Sequence, residues 1–243
     1  MLWRKGGRLD NASPAQVFLP PRPWLCATAV DFKNSGNKRP PKNFRSPAGH
    51  LIEHTLATKM VLEIVKYGSP VLRAKGLDVA DVDDRTRKLA DDMIETMRAA
   101  HGVGLAAQQV GVPIQLTVID VAGVEDRPSE MIVDGRTVDF AKYMPLVLLN
   151  PVLELGRETE EGVEGCLSFP EISGEIARAS RVKVKAKKLD GTPIEFEAKG
   201  LLCRAVQHEV DHLNGILFID RMNSATRTSL AGKLKRLQKS TRG

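Results

Sequence analysis

Apolar positions change their period several times along this chain, and each change marks an element. Behind Asp83, a good helix cap, Leu89, Met93, Met97 and Ala100 recur at spacings of four and three. That stripe predicts a core-facing helix ending at His101 and Gly102. LTVID (116–120) and PLVLLNPVLE (145–154) read as buried strands, and the stretch Val121 to Tyr143 between them, rich in Asp, Gly and charge, reads as a long loop or a hairpin insertion. RVKVKAKKLDGTPIEFEA alternates apolar and polar residues on both sides of Asp190 and Gly191, a hairpin signal. A helix follows from about Leu201 to Leu213, closed by Asn214 and Gly215, and a last one begins near Ser224 with Leu230, Leu234 and Leu237 on one face. There is no internal repeat. Strands first and the main helix after them predict an α+β fold, with antiparallel sheets packed around a central helix and a C-terminal helix behind.

Composition alters this picture at the ends. Of 243 residues, 42% are hydrophobic and 27% charged, which suits one main globular domain. Between Met1 and His50, however, nine Lys/Arg stand against Asp10 and Asp31, and half of the fourteen prolines fall there. Residues 1–59 are therefore expected to be a disordered basic leader, either an organelle transit peptide or sequence upstream of a true start at Met60. Residues 60–243 form the expected folded domain, opening with VLEIVKYGSPVLR. No apolar run approaches the roughly 18 residues that span a bilayer, so no membrane partner is expected. Three cysteines in a chain of this length make no disulfide framework, which points to a reducing compartment: the cytoplasm, or an organelle if the leader is a transit peptide. The tail carries Lys233, Lys235, Arg236, Lys239 and Arg242, a solvated helix face or a nucleic-acid contact.

The chemistry concentrates in QHEVDHLNGILF (207–218). Positions four apart share a helix face, so His208 and His212 can hold one cation while Glu209 serves as general base, the H-E-x-x-H arrangement of metallohydrolases. In the familiar metalloproteases of this pattern the third ligand follows downstream. Here no Glu or His follows His212, and Asp220 is the only carboxylate, so a third ligand must come from upstream. Asp211 is expected to orient an imidazole or to pair with a cation. Cys26 lies in the leader. Cys203, five residues before His208, is turned roughly 140° away on a continuous helix. Cys166, in EGCLS, is the candidate strand-end thiolate, with His101 as its main competitor. A Cys and two His around a fourth open position make a catalytic tetrahedral site. In GVGLAAQQVG (102–111), two glycines allow close approach of another backbone and Gln109 adds an amide donor.

Taken in order, GVGLAAQQ (102–109), EGCLS (164–168) and HEVDH (208–212) resemble the signature of the peptide deformylases. The resemblance implies that Cys166, His208 and His212 hold the metal, with Glu209 as acid/base and Gln109 and the Leu167 N–H as oxyanion donors. It implies one Fe²⁺ per chain, replaceable by Zn²⁺, Ni²⁺ or Co²⁺. It further implies that an N-formylmethionyl peptide adds as a strand along Gly102, Val103 and Gly104. The methionine would enter a pocket of Val103, Leu201 and Ala205, and Arg178 would pair with Glu164. The basic tail becomes a candidate ribosome contact of a monomeric enzyme. A zincin-type metallopeptidase is the alternative.

Overall fold

A computed structural model describes residues 59–242. The leader expected over residues 1–59 lies, up to residue 58, outside the described residues. The first helix, α1 (Asp84–Ala99), is capped by Asp83, whose side chain accepts from Thr86 N–H at 2.8 Å. Its predicted stripe is buried: Met93 and Met97 are fully enclosed, each contributing about 1.5–3 kcal/mol of burial. The helix ends as expected, but the left-handed residue is His101 (φ 55) rather than a glycine, with Gly102 N–H returning to Met97 O at 2.8 Å.

Among the described residues nine strands follow in two antiparallel sheets. β1 (Gly104–Ala106), β2 (Leu116–Ile119), β3 (Ser129–Val133), β4 (Arg136–Val138), β5 (Leu146–Leu155), β8 (Arg181–Lys187) and β9 (Pro193–Lys199) form a seven-stranded sheet in the order β1-β2-β5-β8-β9-β3-β4. The other two, β6 (Thr159–Cys166) and β7 (Phe169–Ala179), pair only with each other among the described residues. The region 121–143 thus resolves as a hairpin, and Asp134 (φ 50) and Gly135 (φ 73) make the tight turn that right-twisted strands favour. This hairpin joins the large sheet by pairing Met131 with Ala198.

The central helix α2 (Gly200–Leu213) lies against that sheet, and every residue from Leu201 to Leu213 is buried. Its sheet-facing side packs Leu202, Cys203 and Val206 onto Leu148, Val182, Val184 and Phe196. A short helix α3 (Phe218–Arg221) and the long α4 (Ser224–Arg242) complete the chain. They close a third cluster in which Phe169, Phe218 and Leu234 meet, with Leu230 and Leu237 partly buried on it. The expected α+β architecture is the observed one. No helix among the described residues is long and apolar enough to cross a membrane.

Candidate metal centre

Two elements bring the candidate donors together. α2 presents His208 and His212, and the end of β6 presents Cys166, where a bulge at Gly165/Cys166 re-aims the strand before the Leu167–Ser168 turn. One donor atom from each of the three lies within 4.8 Å of the others, and all three residues are buried. Cys166 Sγ is 3.3 Å from His212 Nε2. An ion with tetrahedral bonds to sulfur and nitrogen separates its donors by roughly 3.3–3.6 Å. The fit extends to hydrogen bonding, since His208 Nε2 is buried without a hydrogen-bond partner among the described residues. His208 Nδ1 is 2.9 Å from Glu164 Oε2. A carboxylate accepts only, so Nδ1 carries the proton and Nε2 offers its lone pair. Donor set, spacing and tautomer all suit a divalent ion.

Glu164 is the hub behind the site. Burial favours its neutral form, but hydrogen bonds from His208 and Arg178 outweigh that and hold its pKa far below the usual carboxylate range. Arg178 grips it in a fork, Nε to Oε1 at 2.9 Å and Nη2 to Oε2 at 3.0 Å, and Arg204 Nη1 adds a bond to Oε1 at 3.0 Å. Arg178 also reaches Asp211, which in turn binds Arg221 Nη2 at 2.7 Å. Of the two roles expected for Asp211, pairing with cations is the one the structure displays. Arg204 and Arg221 were missed in the sequence. An arginine one turn before His208 on an otherwise buried helix was the available signal.

Glu209, the residue after His208, is fully buried, and the GVG stretch has a use that its small residues did not reveal. A Cβ on Gly104 would fall 2.8 Å from both Cγ and Cδ of Glu209. The glycine makes room for a side chain, where the sequence suggested a second backbone. Gln109 is held by Ala106 N–H donating to Oε1 at 2.9 Å, leaving Nε2 aimed at Cys166 Sγ (3.5 Å) and Ser168 Oγ (3.3 Å). Leu167 is buried on the turn after Cys166.

A strap from the domain's start fixes both of these, again without a signal in the sequence. Val65 N–H donates to Gln109 O, Tyr67 N–H to Ser168 O, and Lys66 Nζ to Leu167 O at 3.0 Å. Val103, Leu201 and Ala205 share one buried cluster where β1 meets α2, and Gly102 is buried beside Val103. The competitors lie elsewhere. His101 is exposed at its helix end, Cys203 donates to Ala179 O at 3.2 Å, and Asp220 is taken by Arg73.

The polypeptide deformylase family model matches residues 61–228. Peptide deformylases from Methylacidiphilum infernorum and Opitutus terrae are 44% and 45% identical over 74% and 75% of the chain, covering 94% and 96% of their own lengths. Among solved structures, a plant peptide deformylase superposes with a TM-score of 0.64 at 34% identity, covering 75% of this chain and 92% of its own. The Thermotoga maritima enzyme reaches 0.57 at 40% identity, with 68% and 99% covered. Sequence and fold agree from the opening strap to the start of the last helix, and the chain belongs to the polypeptide deformylase family.

Proposed function

We propose that Cys166, His208 and His212 hold a divalent ion with which this deformylase hydrolyses the formamide of N-formylmethionyl peptides on newly made chains. The observation that carries these roles is the convergence of the three buried donors beside the buried Glu209. Thiolate and imidazole suit Fe²⁺ and Zn²⁺ alike; one Fe²⁺ per chain is the proposed native ion, with Zn²⁺, Ni²⁺ or Co²⁺ as substitutes. When bound, the ion would supply Lewis acidity, making hydroxide available near neutral pH.

The protein's own groups do the rest. Glu209 accepts a proton from the attacking water and delivers it to the departing amine nitrogen, so the products are formate and a free amino terminus. Gln109 Nε2 and the Leu167 N–H face the carbonyl oxygen as it becomes negative, and each such donor lowers the barrier by about 2.7–4 kcal/mol. The peptide adds as a strand along Gly102, Val103 and Gly104, with its methionine among Val103, Leu201 and Ala205. The network of Glu164, Arg178 and Arg204 holds His208 in orientation.

The zincin-type alternative has no support, since the matching proteins are deformylases and Asp220 is engaged with Arg73. Formate release from a formylated tripeptide by anaerobically purified protein, with metal analysis of the same sample, tests the reading. Cleavage of an unformylated peptide instead would reject it. The exposed Lys233, Lys235, Arg236 and Lys239 on α4, a helix without acidic residues, support a ribosome contact, and we further propose a monomer working in the cytoplasm, or in an organelle if the leader is a transit peptide.

A further inference from the structure

Residues 60–67 cross the domain as a strap from α1 to the metal centre. Met60 N–H donates to Asp92 Oδ1 at 2.9 Å and Leu62 N–H to Thr96 Oγ1 at 2.8 Å, which ties the start of the strap to α1. Its far end spans both segments proposed to supply oxyanion donors. Val65 N–H donates to Gln109 O at 2.8 Å, and Tyr67 N–H to Ser168 O at 2.9 Å. Between them Lys66, partly buried, donates from Nζ to Leu167 O at 3.0 Å. The Tyr67 ring stacks on Phe169, the residue after this turn, with centroids 4.7 Å apart.

The turn that Lys66 touches is not one that a hairpin favours by itself. Cys166 pairs with Phe169, so Leu167 and Ser168 are the two central residues of the loop. Two-residue hairpin loops favour primed turns, in which the first central residue has positive φ and the backbone twist matches that of the strands. Leucine resists that region, and neither Leu167 nor Ser168 has a positive φ. The loop is left with an unprimed backbone that splays its strands, so contacts from outside set its shape. Leu167 O belongs to the central peptide of the loop, the unit whose rotation interconverts turn types. The Leu167 N–H sits on the preceding peptide plane, joined to that carbonyl through one Cα.

We propose that Lys66 is a positioning residue for the reaction: its ammonium pins the Leu167 carbonyl and so keeps the Leu167 N–H aimed at the oxygen that becomes negative. This rests on the reading of Leu167 and Gln109 as the oxyanion donors. With Cys166 held by its pairing with Phe169 and the carbonyl held by Lys66, the N–H between them has little freedom to turn away. A hydrogen bond from a charged donor biases such an equilibrium by about ten- to a hundredfold, and the lower figure suits a partly exposed ammonium. Because Val65 holds Gln109 on the same strap, one short length of backbone sets the spacing of the two donors.

Lys66→Met keeps the side-chain stem and removes the donor. In that variant kcat for formate release from a formylated tripeptide is expected to fall about tenfold, with KM and metal content unchanged. Lys66→Arg returns a charged donor and is expected to recover most of the loss. Lys59→Met removes the same charge from the exposed start of the strap and is expected to keep the natural kcat. Amide exchange followed by NMR gives a readout independent of turnover: Leu167 and Ser168 are expected to exchange about tenfold faster in Lys66→Met. A natural kcat in Lys66→Met, a change confined to KM, or a loss shared in full by Lys66→Arg or by Lys59→Met overturns the assignment, and so does unchanged exchange. If Lys66→Met does not fold, Lys66→Gln, whose amide falls one atom short of Leu167 O, is read in the same way. Failure of the natural protein to release formate would instead count against the functional reading, and the exchange measurement would still decide whether Lys66 holds the turn.

Discussion

Gly104→Ala isolates the placing of Glu209 better than any change to the glutamate. Gly104 does not occupy the left-handed region, so its backbone accepts alanine. What the substitution cannot do is leave Glu209 in place. The new methyl overlaps Glu209 Oε1 and lies 2.8 Å from Cγ and Cδ, and ordinary contact begins at 3.4 Å, so the carboxylate retreats by about 1 Å. Because a displacement of about 1 Å can cost a hundredfold, kcat should fall about ten- to hundredfold, or roughly 1.4–2.7 kcal/mol. Formate release measures kcat and KM, and metal analysis shows that the ion is retained. Adding Glu209→Asp, which shortens the side chain by one methylene, should cost less in the Gly104→Ala background than alone. Natural kcat in Gly104→Ala, or a rise confined to KM, would refute the claim that this glycine makes room for the general base.

Four further outcomes are expected. Cys166→Ser replaces a soft sulfur by a hard oxygen, so metal content and the Co²⁺ spectrum should change; identical spectra would remove the thiol from the site. Arg178→Met removes the cation that Glu164 and Asp211 share, leaving Arg204 and His208 on the one and Arg221 on the other, and should cost about 3 kcal/mol, read as a lower denaturation midpoint. Glu164, with its pKa depressed by folding, contributes stability that is complete above its unfolded value of 4.5 and is lost as pH falls below it. Glu164→Gln should accordingly flatten the acid limb of the stability–pH curve, and an unaltered limb would contradict the buried ion network. Deleting residues after Met222 should abolish salt-sensitive ribosome binding, and undiminished binding would place that contact elsewhere.

What could be read from the sequence divides by distance along the chain. α1 and α2 were legible because one face of each carries the apolar load, and the two histidines because helical spacing alone makes them neighbours. Cys166 lies 46 residues from His212, so setting aside the other thiols and the order of the motifs pointed to it, and spacing did not. The same separation hid Arg204, whose partner Glu164 is 40 residues away, and Lys66, which is 101 residues from Leu167. The β6–β7 hairpin escaped notice for another reason: it pairs only with itself, and β6 buries little before its end, so no sustained alternation appears. In the 121–143 insertion, Asp134–Gly135 carried the turn signal that would have chosen hairpin over loop.

The charge cluster behind His208 is closed among side chains of the chain itself, Glu164 against two guanidiniums and an imidazole. The donors owe their mutual spacing to covalent and hydrogen-bonded scaffolding that exists whichever cation arrives. Loading is then an exchange reaction on a finished protein, unlike the small zinc modules that collapse only around their ion. On the proposed reading of the site, chelated protein should stay cooperatively folded and regain activity when the ion is restored.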